Sequence, residues 1–360
     1  MMQVTVTTRT RASTLAGVAA LGLIGLGVIL PAFASRSLIQ DLFFILTMLT
    51  LAQVWNLIAG YGGMVSVGQQ AFVGIGAYAM FAGVILWGWD PVPAILLGGV
   101  AALVLAVPMA FFAFRLQGAY FAIGTWVIAE VTRLLVAQWK TLGGGTGTSL
   151  PREATADIIG VDALARLFGL RDAAARDVLA YWLALALAVG TMAAIYALLR
   201  SRNGLALAAV RDNDNAARSV GVDAVRLKWL VFLAAAAMTG LVGALIYVQT
   251  ARISPDAAFS VTNWTAYVIF IVVIGGIGRL EGPIVGVIVF WGLQTAFADY
   301  GSWYLLALGL IAIVVMLFAP RGLWGLFADR TQIALFPVQR RLVVENPSAA
   351  PRKTNGKAAP

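Results

Sequence analysis

The chain has 360 residues, of which 61% are hydrophobic and 11% are charged, and this composition excludes a water-soluble globular fold, in which roughly 25% of residues are charged. The absence of Cys and His excludes disulfides, thiolate or imidazole metal ligands, and Cys or His as catalytic groups. The net charge of +9 comes from Lys and Arg that fall mainly in loops, which is typical of a membrane protein and does not indicate a nucleic-acid partner.

Apolar runs of about 17–25 residues predict membrane-spanning helices. We therefore expect an all-α polytopic membrane protein with about ten transmembrane helices and with both termini on the same side. The predicted helices lie approximately at 13–34, 38–59, 66–87, 92–114, 117–139, 178–199, 229–250, 263–279, 283–298 and 303–319.

The first apolar run allows two interpretations. The stretch "RTRASTLAGVAALGLIGLGVILPAFAS" has a basic leader, an apolar core and an Ala-x-Ala sequence at residues 32–34, which is the pattern of a cleavable signal peptide. The apolar core is longer than that of most signal peptides, and this favours a retained first helix preceded by a cytoplasmic leader at 1–12.

A glycine-rich stretch separates the second and third predicted helices. Gly60, Gly62 and Gly63 permit a broken or re-entrant backbone that lines a cavity, because glycine adopts conformations that other residues avoid. Gln69 and Gln70 follow directly and are candidate pathway residues. The alternative is that these two side chains only form hydrogen bonds between helices.

Two charged residues lie within the fifth predicted helix. Glu130 and Arg133 are three residues apart, so they share a helix face and can neutralise each other. Intramembrane charges usually face the interior of a bundle or an aqueous cavity. The pair is therefore either structural or part of a pathway mouth or a binding-protein contact.

Lys and Arg residues concentrate in alternate loops, and cytoplasmic loops carry the excess of such residues. The resulting organisation is a cytoplasmic leader at 1–12, helices 1–5 within 13–139, a periplasmic loop at 140–177, helix 6 at 178–199, a cytoplasmic loop at 200–228, helices 7–10 within 229–319, and a basic cytoplasmic tail at 320–360. The end of this tail is polar and Pro-rich, which predicts disorder.

The cytoplasmic loop at 200–228 contains an unusually polar stretch, "RDNDNAARSVGVD", at 211–223. Asp212 or Asn213 can cap the start of a short helix, and Gly221 suits the position that follows its end. Ala216 and Ala217 give this helix a small, flat surface that suits a groove on another protein, and Asp214 can pair with Arg218. The alternative is an ordinary solvated loop.

No Walker-type GxxxxGK[ST] motif occurs in the sequence. A transporter without its own nucleotide site depends on an ion gradient or on a separate ATPase.

Four stretches in order carry a family resemblance. "SRNGLALAAVRDNDNAARSVGVDAVRLKWLVF", "NLIAGYGGMVSVGQQAFVGIGAYA", "YFAIGTWVIAEVTRLL" and "VIGGIGRLEGPIVG" resemble segments of the LivM-type permease subunits of branched-chain amino-acid ABC importers. The resemblance runs from about residue 40 to residue 325. It implies a permease subunit in the bacterial inner membrane that forms the translocation pathway.

The resemblance also implies partners. These are a second homologous permease, two cytoplasmic ATPase subunits and a periplasmic solute-binding protein, together with membrane lipid and without nucleic acid. ATP and magnesium would then be bound by the ATPase subunits, so we expect no cofactor, no metal site and no catalytic residue on this chain.

For the sites, the resemblance implies that the polar helix is the coupling helix that docks on an ATPase. The implied coupling residues are Arg211, Asp212, Asn213, Asp214, Asn215, Ala216, Ala217, Arg218 and Gly221. Importers of this kind carry Glu-Ala-Ala followed by Gly, but Asn215 stands at the Glu position, so either Asp214 or Asn215 takes the acidic role. Gly275, Gly276 and Gly278 are further positions of expected backbone flexibility.

Three alternatives remain open at the level of sequence. The same architecture could import urea, short amides or aromatic acids. An ion-coupled secondary transporter is less favoured, because only Glu130 and Arg133 supply charges at membrane depth. A membrane enzyme is least favoured, because the sequence contains no paired catalytic constellation.

Overall fold

The computed structural model describes residues 3–7, 11–297, 301–331, 335–338 and 341–345. Its helices, in chain order, are α1 (Arg11–Ile29), α2 (Arg36–Asn56), α3 (Gln69–Trp87), α4 (Pro91–Ala113), α5 (Ala119–Ala137), α6 (Arg152–Ala156), α7 (Val161–Phe168), α8 (Asp172–Arg200), α9 (Arg202–Asp212), α10 (Asp214–Ser219), α11 (Ala224–Thr250), α12 (Pro255–Ala258), α13 (Tyr267–Gly275), α14 (Gly282–Phe297), α15 (Ser302–Phe318) and α16 (Gly322–Thr331). Single π-helical turns at Leu57–Tyr61 and Thr262–Ala266 extend α2 and precede α13.

Within the described residues, nine helical stretches are long and apolar enough to cross a membrane, and α14 is a shorter apolar helix. The strands among the described residues are short: β1 (Gln3–Thr7) pairs antiparallel with β4 (Arg341–Glu345), and β2 (Thr148–Ser149) pairs with β3 (Arg252–Ile253). The predicted all-α polytopic fold is therefore confirmed.

The helix ends lie at two faces of the bundle, and the contacts between the segments that connect the helices distinguish these faces. On one, here called the inner face, the chain between α8 and α11 meets the segments after α2 and α13. On the other, the outer face, the connection between α5 and α8 meets the start of α4 and pairs with the chain after α11. Helix ends that alternate between two faces are what a chain that crosses a membrane repeatedly must produce.

Several predicted boundaries differ from the structure. Helix α8 begins at Asp172, within the predicted loop at 140–177, and α6 and α7 also form there. A helix continues beyond the hydrocarbon layer wherever its backbone bonds remain satisfied, whereas hydropathy detects only the apolar part. The predicted helix at 263–279 instead ends at Gly275, because Gly276 has a φ of +130°.

Helices α3, α4 and α11 pack closely against one another through glycines. A methyl group placed on Gly98 of α4 would lie 2.8 Å from the carbonyl oxygen of Gly76 and 3.0 Å from that of Gly240. Small residues at such contacts let helix backbones pack directly in lipid. These three helices therefore contact one another through their backbones.

Helix α1 contacts the bundle near its outer end. The Tyr181 hydroxyl and the Trp182 indole of α8 donate hydrogen bonds to the carbonyls of Gly27 and Val28, at 2.8 and 3.2 Å. Most of α1 is exposed within the chain, and Leu15 retains 71% of its accessible surface. Whether α1 is retained or removed stays a prediction, and the predicted disordered end of the tail, 346–360, lies outside the described residues.

Candidate functional site

The glycine segments after α2 and α13 meet at the inner face. A methyl group on Gly60 would lie 2.5 Å from the backbone nitrogen of Gly278, so the two backbones are in direct contact. Asn56 holds this contact: its Oδ1 accepts a hydrogen bond from the Gly278 N–H at 2.7 Å, and its Nδ2 donates to the Arg279 carbonyl at 2.9 Å. The structure thus joins two segments that the sequence separates by more than two hundred residues.

The backbone between α2 and α3 leaves the α-helical conformation. After the π-helical turn at Leu57–Tyr61, Gly62 forms a turn and Gly63 has a φ of +69°, a value that favours glycine. Residues 64–68 are not helical, and α3 begins only at Gln69, three residues later than predicted. Irregular backbone at such a depth is tolerated where protein surrounds it, and residues 57–61 are buried.

The two glutamines at the start of α3 have different surroundings. Gln70 accepts a hydrogen bond from the Thr265 hydroxyl and so ties α3 to the second π-helical turn. Gln69 donates to the Leu51 carbonyl at 3.1 Å and lines a cavity of about 10 Å³, whereas its Oε1 is buried without a hydrogen-bond partner among the described residues. Gln70 therefore has the interhelical role, and Gln69 faces open space of about the size of one water molecule.

Helices α9 and α10 form the polar stretch between α8 and α11. The side chain of Asn213 accepts a hydrogen bond from the Ala216 N–H at 3.0 Å, so Asn213 rather than Asp212 caps α10. Gly221 has a φ of +88° directly after the helix, as its predicted position requires. The two-turn helix predicted by the cap residues is therefore present, although α9 precedes it as a separate helix.

The structure corrects the expectation that both alanines face a partner. Ala217 is only 3% exposed and packs in the hydrophobic core of its own chain, whereas Asn215, Ala216 and Val220 are exposed. An α-helix turns by about 100° per residue, so Ala217 can be buried while the adjacent Ala216 is exposed. The outward surface of α10 is formed by Asn215, Ala216, Ser219 and Val220.

Asp214 is engaged within the chain. Its Oδ2 accepts hydrogen bonds from Lys228 at 3.0 Å and from Arg218 at 3.2 Å, so the predicted pair with Arg218 is confirmed. Partial burial acts to raise the pKa of this carboxyl, but the hydrogen bonds and charges of Lys228 and Arg218 outweigh it and hold the pKa below its ordinary value. Asn215 is then the exposed side chain at the family's acidic position.

Arg211 links this stretch to the glycine segments. Its Nη1 donates to the Gly60 carbonyl at 3.1 Å, while Nε and Nη2 donate to the Asp212 carboxylate at 3.2 and 3.1 Å. A methyl group on Gly63 would lie 3.4 Å from Arg211 Cγ, and one on Gly278 would lie 3.5 Å from Nη1. Arg211 therefore lies across the point where the two glycine segments meet.

Gly275 and Gly276, at the end of α13, lie against backbone on two sides. A methyl group on Gly275 would overlap the Gly282 carbonyl, and one on Gly276 would lie 2.9 Å from the Arg321 carbonyl oxygen. Both positions therefore admit no larger side chain without displacement of a neighbour. Their predicted flexibility stays a prediction.

At the outer face, Glu130 and Arg133 form the predicted ion pair. Arg133 Nη2 lies 2.6 Å from Glu130 Oε1, and Nη1 lies 2.6 Å from a carboxylate oxygen of Asp256 in α12. Sequence reasoning missed Asp256 because it follows Arg133 by 123 residues and no local pattern joins them. The arginine is thus shared by two carboxylates, and its role in a pathway stays untested.

Sequence reasoning also missed Asp177, a charged residue of α8 that is 6% exposed. Its carboxylate accepts hydrogen bonds from Arg36, Gln40 and Gln249, which lie on α2 and α11. The only signal was an acidic residue one position before the predicted sixth helix. In the described part of the chain, no group of three or more acidic side chains could hold a metal ion.

Comparison with known proteins gives consistent results. Residues 37–320 match the model of a family described as the permease component of branched-chain amino acid transport systems. The chain is 30% identical over 317 residues to the high-affinity branched-chain amino acid transport system permease protein LivM of Escherichia coli strain K12, and this match covers 84% of the chain and 73% of the relative. It is 28% identical over 319 residues to the protein of the same name from Salmonella typhimurium strain LT2, with the same coverage. No solved structure matches the chain.

Proposed function

Because this chain belongs to the family of permease components of branched-chain amino acid transport systems, we propose that it imports branched-chain amino acids as the pore-forming subunit of an ATP-driven complex. The chain is a multi-pass protein of the inner membrane and a transport subunit. Its proposed partners are a second homologous permease, two ATPase subunits and a periplasmic binding protein. ATP and magnesium are proposed to bind to the ATPase subunits, since this sequence has no Walker-type motif.

The observation that carries the proposal is the contact of Arg211 with the Gly60 carbonyl. Through it, the polar stretch between α8 and α11 connects to irregular, glycine-rich backbone within the bundle. A displacement of α9 and α10 by an attached ATPase would act directly on the Gly60–Gly278 contact. Glycine backbone changes conformation at low steric cost, so this junction suits the transmission of movement.

The exposed surface of α10 is the proposed docking surface for the ATPase. Asn215, Ala216 and Val220 are exposed there, and Val220 retains 77% of its accessible surface. The small Ala216 beside the exposed, apolar Val220 suits insertion into a groove. Asp214 instead forms ion pairs with Lys228 and Arg218 of its own chain. The surface is therefore nearly uncharged where contact would be closest.

Reconstitution of the complete importer in proteoliposomes tests the proposal. Leucine, urea and benzoate are supplied in turn with the binding protein, and ATP hydrolysis and uptake of the labelled solute are measured. We expect leucine to stimulate both and uptake to survive a protonophore while ATP is maintained. Stimulation by urea or benzoate but not by leucine would show that the importer carries that solute instead of leucine. Uptake that required an ion gradient would contradict ATP coupling.

Two substitutions in α10 test the docking surface. Ala216→Glu places a charge on the exposed surface and should leave membrane abundance normal while it weakens ATPase association and abolishes uptake. Ala217→Glu instead buries a charge within the chain, which is costly, and should lower abundance. Ala216→Ser is the control that should behave as wild type, and an Ala216→Glu complex that retained its ATPases and stimulated hydrolysis would refute the docking surface.

A further inference from the structure

A cavity of about 140 Å³ lies at the outer face between α2, α8 and α11. Its polar end carries Arg36, Asp177 and Gln249, and its apolar wall includes Leu183, Leu245 and Val248. It lies at the opposite face of the chain from the Gly60–Gly278 contact. The cavity therefore belongs to neither the coupling stretch nor the glycine segments.

The polar end has both hydrogen-bond donors and an acceptor position that the described residues do not use. Asp177 Oδ2 accepts from Arg36 Nε at 2.5 Å and from Gln40 Nε2 at 3.1 Å, and Oδ1 accepts from Gln249 Nε2 at 2.7 Å. A carboxylate offers about four acceptor sites, so one remains on Oδ1. Arg36 uses only Nε, and its two terminal amino groups have no acceptor among the described residues.

The different exposure of Asp177 and Arg36 would give a bound ligand a defined orientation. The side chain of Asp177 is 8% exposed and that of Arg36 is 56% exposed, so the carboxylate lies deep in the cavity and the guanidinium lies at the rim. The apolar wall continues from the polar end along α8 and α11. A negative group, a positive group and an aliphatic surface thus meet in one space.

We propose that this cavity is a binding site for a small aliphatic α-amino acid. The ammonium group donates to Asp177 Oδ1, the carboxylate accepts from the terminal amino groups of Arg36, and the side chain packs against Leu183, Leu245 and Val248. The volume is close to the roughly 150 Å³ at which an apolar cavity binds benzene, which suits a branched aliphatic side chain. The identity of the amino acid rests on the proposed function, whereas the site itself rests on the contacts above.

A cysteine probe locates the binding directly. The native chain has no Cys, so Val248→Cys places a single thiol in the cavity wall of the purified importer complex in nanodiscs. We expect leucine to slow maleimide labelling of this thiol in a saturable manner. Leucinol, which lacks the carboxylate, and 4-methylpentanoate, which lacks the ammonium, should protect far less, and a thiol at Ser149 outside the cavity should label at the same rate with and without leucine.

Substitution then tests the acidic residue. Asp177→Asn in the Val248→Cys background should raise the leucine concentration needed for protection by about tenfold or more, as expected for the loss of a hydrogen bond to a charged group. Asp172→Asn is the matched control, because Asp172 is an exposed residue of the same helix. Binding of labelled leucine to the unsubstituted complex provides a measurement that does not depend on the folding of any variant.

The outcomes separate this inference from the proposed function. If the reconstituted importer takes up leucine but leucine never protects the thiol at position 248, or protects no better than the two analogues, the site is refuted and the transport function stands. If leucine protects the thiol as expected but no ATP-driven uptake occurs, the site stands and the transport function is refuted. Equal protection in Asp177→Asn would show that the Asp177 network only ties the three helices together, and would also refute the site.

Discussion

Replacement of Arg211 with Ala should uncouple ATP hydrolysis from transport. The substitution removes the hydrogen bond from Nη1 to the Gly60 carbonyl at 3.1 Å but leaves the cap of α10 intact. A hydrogen bond that involves a charged group contributes about 1.5–3 kcal/mol, and the side chain of Arg211 is 40% exposed, so water replaces part of it. A loss near the lower limit, about 1.4 kcal/mol, corresponds to about a tenfold change in an equilibrium constant.

The assay is the number of ATP molecules hydrolysed per leucine transported in proteoliposomes. We expect this ratio to rise by up to about tenfold in Arg211→Ala, with normal membrane abundance and ATPase association. Arg211→Lys keeps the charge but not the fixed geometry of the guanidinium, and it should give an intermediate ratio. Arg202→Ala, an exposed change at the start of α9, is the control, and an unchanged ratio in Arg211→Ala would refute the role of the Gly60 contact.

Three further outcomes are expected. In cells with a permeabilised outer membrane, a cysteine at Ser149 should react with an impermeant maleimide and one at Ser219 should not, and the reverse result would invert the predicted orientation. Arg133→Gln should lower membrane abundance more than Glu130→Gln, because it leaves two carboxylates without a cation, whereas equal abundance would show that the ion pair does not stabilise the chain. Because the pKa of Asp214 lies below its ordinary value, its ion pairs should be fully formed from pH 5 to 8 and be lost only below about pH 4, as the carboxyl is protonated; a spin label on α10 that became mobile near pH 6 would contradict this.

Features set by neighbouring residues could be predicted from the sequence. Apolar runs predicted the membrane helices, and the Asn213 cap and Gly221 predicted a short helix that the structure contains. The inward direction of Ala217 could not be predicted, because it depends on how α10 packs against the remainder of the chain.

Contacts between distant segments could not be predicted from local sequence patterns. Arg211 and Gly60 are separated by 151 residues in the sequence, and Asp177 and Arg36 are separated by 141 residues. The glycines near positions 60 and 278 were each predicted to be flexible, but only folding shows that they contact each other. One sequence contains no covariation that would indicate such a contact.

The backbone contact among Gly76, Gly98 and Gly240 determines which part of the bundle can move. Helices slide past one another when side chains change rotamer between them, and where carbonyls and α-carbons touch there are no such side chains to adjust. We therefore expect helices α3, α4 and α11 to move together as one unit. Alternating access would then arise from displacement of the surrounding helices against this unit, and the two π-helical turns are the places where we expect the chain to bend.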